Sequence, residues 1–129
     1  METTHSLRPV HLKVTPQAVR AYAELTDDFN PLHLDAEFAA KTPMGRPIAH
    51  GTMSLCLIWE CLQRNLGPQV FDDLALDVRF VKPVFMDDEL TAGGELSIET
   101  PHLYQVWVRG QDGSDRIVGT VNVAHQPTI

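Results

Sequence analysis

The pattern of hydrophobic and polar positions divides the chain into a mostly helical first half and a mostly strand-like second half. Apolar residues recur at helical spacing before about residue 67, and after it they alternate with a period of two. A short alternating run, Val10 to Val14, predicts one further strand near the start. Segregated helices and strands are typical of an α+β domain, so we predict this fold class with an antiparallel sheet of about five strands.

Three helices are predicted in the first half, each from a start or stop signal. Thr15-Pro16 begins the first, since threonine is a good N-cap and proline suits the first helical position. The apolar stripe of this helix is predicted to be Ala18, Tyr22 and Leu25. Asp35 caps a short helix that runs through Ala40. A longer helix extends from about His50 to about Leu66 and ends at Gly67-Pro68.

The longer helix is apolar almost all the way round its first half, which is typical of a buried helix. Ser54 and Cys56 lie in it without an adjacent base, so we interpret both as packing residues. A sheet wrapped around this helix would bury both the apolar helix and the apolar faces of the alternating strands. One sheet edge would stay open, and pairing with a second copy of the chain is the predicted solution.

The second half predicts four strands from its alternating residues, with a hairpin turn at Asp112-Gly113 between the last two. The residues that share a face in each strand are Leu74, Leu76, Val78 and Phe80; Leu90, Ala92, Leu96 and Ile98; Tyr104, Val106 and Val108, with Trp107 opposite; and, in a strand from Ile117, Val121 and Val123.

Composition narrows the function classes. The length of 129 residues fits a single domain over 1–129, and the net charge of -7 argues against nucleic-acid binding. The longest apolar run, Leu55–Trp59, is too short to span a bilayer, and the first residues lack the pattern of a signal peptide. Cys56 and Cys61 do not suggest a disulfide framework. We therefore expect a cytoplasmic protein that does not enter a membrane.

Two short segments hold the candidate chemistry. In the first, Asp28-Phe29-Asn30-Pro31-Leu32-His33, a carboxylate and an imidazole lie on a turn that proline stiffens. Such a pair can activate one water and return its proton elsewhere. The second, Pro47-Ile48-Ala49-His50-Gly51, begins the long helix. Its backbone N–H groups, Gly51 above all, can stabilise negative charge on a carbonyl oxygen.

These two segments resemble the MaoC-like, or (R)-specific, enoyl-CoA hydratases, and the resemblance covers nearly the whole chain. It implies a hot-dog fold, a homodimer, and reversible syn addition of water to a trans-2-enoyl-CoA that gives a (3R)-3-hydroxyacyl-CoA. It also implies that Asp28 and His33 share the catalytic water, Asn30 supports the turn, and the Gly51 amide polarises the thioester carbonyl. No cofactor is implied, because coenzyme A enters as part of the substrate.

The chain departs from the family pattern in two places. Asp27 stands where the family usually has glycine, and aspartate tolerates left-handed backbone angles better than most residues. Trp59 stands where some relatives have a small polar residue near the acyl pocket, so we predict a shortened acyl site. For the phosphates of coenzyme A, Arg46 and Lys82 are favoured over the other cations. His50 is interpreted as a supporting residue of the oxyanion site or as a helix cap.

Several alternatives stay open. Asp28 and His33 can instead be read as a helix cap and a structural histidine, but the flanking motif favours catalysis. A metal site is not expected, since the six histidines show no familiar ligand spacing. The rival functions are a dehydratase that acts on acyl carrier protein, a hot-dog acyl-CoA thioesterase, and a non-catalytic subunit that binds acyl thioesters.

Overall fold

The structure, a computed structural model, describes residues 6–123. Its five strands are β1 Ser6–Lys13, β2 Leu74–Phe80, β3 Glu89–Leu96, β4 Leu103–Arg109 and β5 Asp115–Val123. Its α-helices are α1 Pro16–Thr26, α2 Pro31–Leu34, α3 Ala36–Ala40 and α4 Gly51–Leu66, and a 3-10 helix follows over Pro68–Asp72.

The strands form one antiparallel sheet in the order β1-β3-β4-β5-β2. Alternate residues of the strands are buried against α4, which contacts β1, β3 and β4. The predicted α+β class with about five strands and a central helix is therefore confirmed. The predicted hairpin is also present, because β4 and β5 are joined through Asp112-Gly113, with Gly113 at a φ of 82°.

The predicted bounds of the long helix agree with α4, which ends at Gly67 with a φ of 87°. Its burial differs from the prediction. The buried residues form one face, Met53, Ser54, Leu57, Ile58, Cys61 and Leu62. Cys56 is exposed, so its interpretation as a packing residue was wrong. The sheet covers one side of the helix and the 3-10 helix also contacts it, while Thr52, Cys56 and Gln63 are exposed.

Two smaller predictions also need correction. In α1 the buried residues are Val19 and Ala23, whereas Leu25 is 82% exposed. Three apolar residues define the inward face of a helix only to within about one position. Tertiary packing then determines which residues are buried. Ile98 is 96% exposed, because β3 ends at Leu96 and the chain turns before Ile98 can join the sheet face.

The two edge strands of the sheet, β1 and β2, differ in how their outer backbone groups are hydrogen-bonded. At β1 the side chain of Asn65, from the last turn of α4, accepts a hydrogen bond from Arg8 N and donates one to Arg8 O. At β2 the structure shows no partner beyond β5 among the described residues. The free backbone groups of β2 are therefore the part of the sheet that is open to another strand.

A buried ion pair anchors the loop between β2 and β3. Asp88 and Arg116 are each 6% exposed, with 3.5 Å between Oδ2 and Nη2. Asp88 also accepts hydrogen bonds from Phe85 N at 2.9 Å and from the Gln111 side chain. This loop includes Val84, whose carbonyl oxygen accepts the Ala49 N–H at 2.7 Å. The ion pair therefore holds the strip of backbone that precedes α4.

Replacing Asp88 by alanine should destabilise the protein by about 3–5 kcal/mol, because Arg116 would stay buried without its buried partner and with only the exposed carboxylate of Asp112 beside it. Asp115→Ala is the matched control, since it removes the same group from an exposed pair with Arg109. We expect a loss of at most about 1 kcal/mol there. Urea unfolding measures both, and equal losses in the two variants would contradict this account.

Candidate active site

The turn that carries the first motif begins where α1 ends. Asp27 adopts left-handed angles, with φ 56° and ψ 36°, and its N–H bonds to Ala23 O. This is a conformation that glycine adopts freely and aspartate tolerates. The Asn30 side chain then caps α2 by accepting the Leu32 N–H at 3.0 Å, and Pro31 fills the first helical position. The expectation that Asp27 can take the place of glycine is consistent with this geometry.

Two imidazole–carbonyl hydrogen bonds join the two motif segments. His33 Nδ1 donates to Ile48 O at 2.7 Å, and His50 Nε2 donates to Asp28 O at 3.0 Å. A carbonyl oxygen only accepts, so the ring nitrogen facing it carries the proton. In the neutral rings, His33 Nε2 and His50 Nδ1 are then the nitrogens with free lone pairs. The pair of bonds fixes both rings relative to both segments.

The side chains of Asp28, His33 and His50 meet in one cluster. One carboxylate or ring-nitrogen atom from each lies within 4.8 Å of the others. The rings of His33 and His50 have centroids 3.9 Å apart, and His50 is 2% exposed while the Asp28 side chain is 51% exposed. Two hydrogen bonds of about 2.8 Å that meet at one water span about 4.5 Å. The spacing therefore suits a single water held between the carboxylate and an imidazole.

The same three residues offer a possible set of metal ligands. Sequence spacing did not show this set, because His50 comes from 22 residues beyond Asp28 in the chain and is brought in by the fold. Two imidazoles and a carboxylate are ligands that zinc accepts. The expectation that the protein works without a metal stays a prediction, which the effect of a chelator on the reaction rate tests.

Gly51 begins α4 directly after this cluster. The N–H groups of a first helical turn have no partner within the helix, and the helix dipole makes them favourable for negative charge. A Cβ at Gly51 would lie 2.9 Å from the ring of Phe80. Glycine is therefore needed here for the ring to sit where it does. The space that its missing side chain leaves is filled by Phe80, which is itself 54% exposed.

A mostly apolar cavity of about 340 Å³ adjoins this helix start. Its walls include Gly51, Ser54, Phe80, Val84 and Ile117. Asp28, His33 and His50 do not line it. The strip from Ile48 to Gly51 borders both spaces, because Ile48 O bonds to His33 while Ile48, Ala49 and Gly51 line the cavity. The site thus consists of a polar cluster and an apolar cavity that share the start of α4.

A second cleft of about 350 Å³ shares Lys82 and Pro83 with the first. Arg46 lies in it with its guanidinium 4.0 Å from the Phe85 ring centroid. Arg116 in the same cleft is paired with Asp88 and Asp112, whereas Arg46 and Lys82 form no ion pair with any described residue. The two cations that the sequence favoured are therefore the cations of this cleft that remain available to a ligand.

Trp59 lies outside both cavities. Its ring packs edge-on against Phe71, with centroids 5.7 Å apart, and it is only partly buried. Trp59 is not among the described residues that line the cavity at Gly51, so the predicted effect on acyl length stays a prediction.

Sequence reasoning missed three residues of this region. Phe80 was read only as part of a sheet face, and Ser54 only as packing. Tyr22 was assigned to the core, but its hydroxyl donates to Thr52 Oγ1 at 2.8 Å and its ring contacts His50 edge-on. A signal existed for Phe80, because it is the last strand residue before the Lys82-Pro83 bend. Nothing in the sequence pointed to Ser54.

The chain is similar to a known protein family and to solved structures. Residues 2–124 match the family described as the MaoC like domain. The chain belongs to this family. A solved (R)-hydratase from Aeromonas caviae superimposes with a TM-score of 0.76 at 30% identity, over 95% of this chain and 97% of that one. This likeness confirms the hot-dog fold that the sequence resemblance predicted for the MaoC-like domain.

Curated relatives of this MaoC-like domain match over shorter stretches. The (R)-specific enoyl-CoA hydratase of Aeromonas caviae is 43% identical over 79 residues, which are 61% of this chain and 59% of that protein. The 3-hydroxybutyryl-CoA dehydratase of Methylorubrum extorquens is 44% identical over 57 residues, 43% of this chain and 36% of that protein. The matched stretches thus span between about a third and three-fifths of these relatives.

Proposed function

We propose that this MaoC-like domain is a lyase that interconverts trans-2-enoyl and (3R)-3-hydroxyacyl thioesters of coenzyme A. The observation that carries the proposal is the meeting of Asp28 and His33, at a spacing that fits one water, beside the start of α4. The relatives supply the reaction class, since they are named as an enoyl-CoA hydratase and a 3-hydroxybutyryl-CoA dehydratase.

In the hydration direction, the water held by Asp28 and His33 attacks C3 of the enoyl group. His33 Nε2 has the free lone pair, because Nδ1–H is held by Ile48 O, so it can accept the water proton while the carboxylate orients the water. Negative charge moves to the thioester oxygen, where the Gly51 N–H stabilises it. The proton is then returned to C2 on the same face, and the pair recovers its starting protonation. Dehydration is the reverse.

Asn30 and His50 are proposed to support this chemistry without touching the reacting atoms. Asn30 caps α2 and so fixes the direction from which His33 approaches. His50 ties the Asp28 carbonyl to the helix start while it is itself almost fully buried. The proposal needs no metal and no redox cofactor, because adding water to an activated double bond requires only proton transfer and charge stabilisation.

The phosphates of coenzyme A are proposed to lie in the cleft with Arg46 and Lys82. The acyl thioester would lie in the apolar cavity, and Lys82 and Pro83 border both spaces. A chain with a net charge of -7 repels a polyanionic ligand at long range, so local unpaired cations are required. Arg46 and Lys82 meet this requirement better than Arg64, which is paired with Glu60.

We also propose that the protein forms a homodimer in the cytoplasm. The open edge of β2 and the exposed side chains of Phe71 and Val81 next to it support association through this edge. Within the part of the chain that the structure describes, no helix is both long and apolar enough to cross a membrane.

Purified protein mixed with crotonyl-CoA should remove the absorbance of the conjugated thioester. Asp28→Asn and His33→Ala should each lower kcat by about 10²–10⁴-fold, the usual contribution of a positioned acid–base group. Asp35→Asn is the matched control, since Asp35 caps the neighbouring helix α3 and lies outside the cluster. A chelator should change the rate by less than about twofold.

The same assay separates the rival functions. Release of free thiol in place of hydration would identify a thioesterase. Turnover of the carrier-protein thioester alone would identify the dehydratase of acyl carrier protein. Binding of enoyl thioesters without turnover would identify a non-catalytic subunit, and loss of activity with the chelator would overturn the metal-free mechanism.

Arg46→Ala combined with Lys82→Ala should raise KM for crotonyl-CoA about tenfold and leave kcat within about threefold, because the lost contacts lie away from the reacting atoms. With crotonyl-pantetheine, which lacks the phosphates, the double variant should match wild type. Arg64→Ala removes a paired surface cation and serves as the control. An equal rise in KM for both substrates would show that these cations do not bind the phosphates.

Light scattering should give twice the 14.4 kDa of one chain. A second copy added at β2 buries the exposed apolar side chains beside this edge, which favours the assembly. A mass of one chain at micromolar concentration would reject the dimer.

A further inference from the structure

The hydroxyl of Ser54 is buried in the wall of the apolar cavity without a partner. Ser54 is 2% exposed, and none of the described residues hydrogen-bonds to its Oγ. It lines the same cavity as Gly51 and Phe80. Burying an unpaired hydroxyl destabilises a fold, and nearly all such groups in native proteins have a partner. A ligand in the cavity is the partner that this position favours.

The helix geometry brings this hydroxyl next to Gly51. Residues three apart lie on the same face of a helix, and side chains tilt back toward the N-terminal end. The Ser54 side chain therefore leans over the first turn of α4, where the unpaired backbone N–H groups lie. A serine hydroxyl can also rotate to donate in the direction of an acceptor. An oxygen bound at the Gly51 N–H would lie on the side toward which Ser54 leans.

We propose that Ser54 Oγ is a second hydrogen-bond donor to the thioester carbonyl oxygen, acting beside the Gly51 N–H. This inference rests on the proposed function, because it assigns the donor to the oxygen that gains charge in that reaction. A second donor strengthens as the oxygen becomes negative, so it stabilises the transition state more than the bound substrate. No bond to Ser54 forms or breaks, and its proton stays on the hydroxyl.

The proposal requires Phe80 to move. Its ring lies against Gly51, so a thioester and the ring cannot occupy the start of α4 together. The ring is 54% exposed and ends strand β2, so it can turn toward solvent without opening the core. The thioester would then take the place of the ring and supply the acceptor that Ser54 lacks.

The first test compares stability with activity in Ser54→Ala. Removing an unpaired buried hydroxyl should leave Tm unchanged or raise it by a few degrees, while kcat for crotonyl-CoA falls about 10- to 100-fold and KM stays within about threefold. Ser54→Thr keeps the hydroxyl and should recover most of kcat. Ser97→Ala is the matched control: its hydroxyl accepts the N–H groups of Glu99 and Thr100, so Tm should fall and kcat should stay unchanged.

The second test reads carbonyl polarisation without turnover. In the Asp28→Asn background, bound hexadienoyl-CoA should absorb at longer wavelength than the free thioester, since hydrogen bonds to the carbonyl draw electron density along the conjugated chain. Adding Ser54→Ala should reduce this red shift while binding persists. An unchanged shift together with full kcat in Ser54→Ala would overturn the proposal. A fall in kcat that is fully explained by a loss of folded protein would also overturn the proposal.

The two proposals fail in different ways. If wild type does not hydrate crotonyl-CoA but the red shift still depends on Ser54, the proposed reaction is wrong and the donor role stands. If wild type hydrates crotonyl-CoA and Ser54→Ala changes neither kcat nor the shift, the reaction stands and the donor role is wrong. If the protein binds no enoyl thioester at all, both are overturned.

Discussion

The hydrogen bonds from His33 to Ile48 O and from His50 to Asp28 O connect the two halves of the site. Each joins a side chain of one motif segment to the backbone of the other, so neither segment can shift without moving both imidazoles. Because a carbonyl oxygen can only accept, these bonds also decide which nitrogen of each ring is protonated. The position and the tautomer of each neutral ring are thus set together, before any substrate binds.

A helix, a loop and the sheet hold these two motif segments in place. Tyr22 of α1 contacts His50 and bonds to Thr52 on α4. The loop after β2 accepts the Ala49 N–H through Val84 O, and the buried pair of Asp88 and Arg116 holds that loop. Helix, loop and sheet therefore converge on the four residues from Ile48 to Gly51. A site built this way has little freedom to reorganise during a reaction, which is what efficient proton transfer requires.

The same strip of backbone borders a polar and an apolar space. The polar space contains a half-exposed carboxylate and two imidazoles, and the apolar one is a cavity in which Ser54 is a polar exception. An acyl thioester has the matching character, with an apolar chain and one polar carbonyl. In the proposed reaction the water and the thioester meet at the start of α4, which borders both spaces.

The sequence by itself determined the five strands, the helices α1, α3 and α4 and the residue types of the site, but not the short helix α2 or the 3-10 helix. Caps at Thr15, Asp35 and Gly67 fixed helix ends, and period-two alternation fixed the strands, because these signals depend on neighbours along the chain. The Asp28–His33 segment was recognisable for the same reason. Only the tertiary structure decided which residues meet across long separations. His50 joining the cluster, Phe80 lying on Gly51 and the unpaired hydroxyl of Ser54 all depend on packing between distant elements, which a local pattern does not encode.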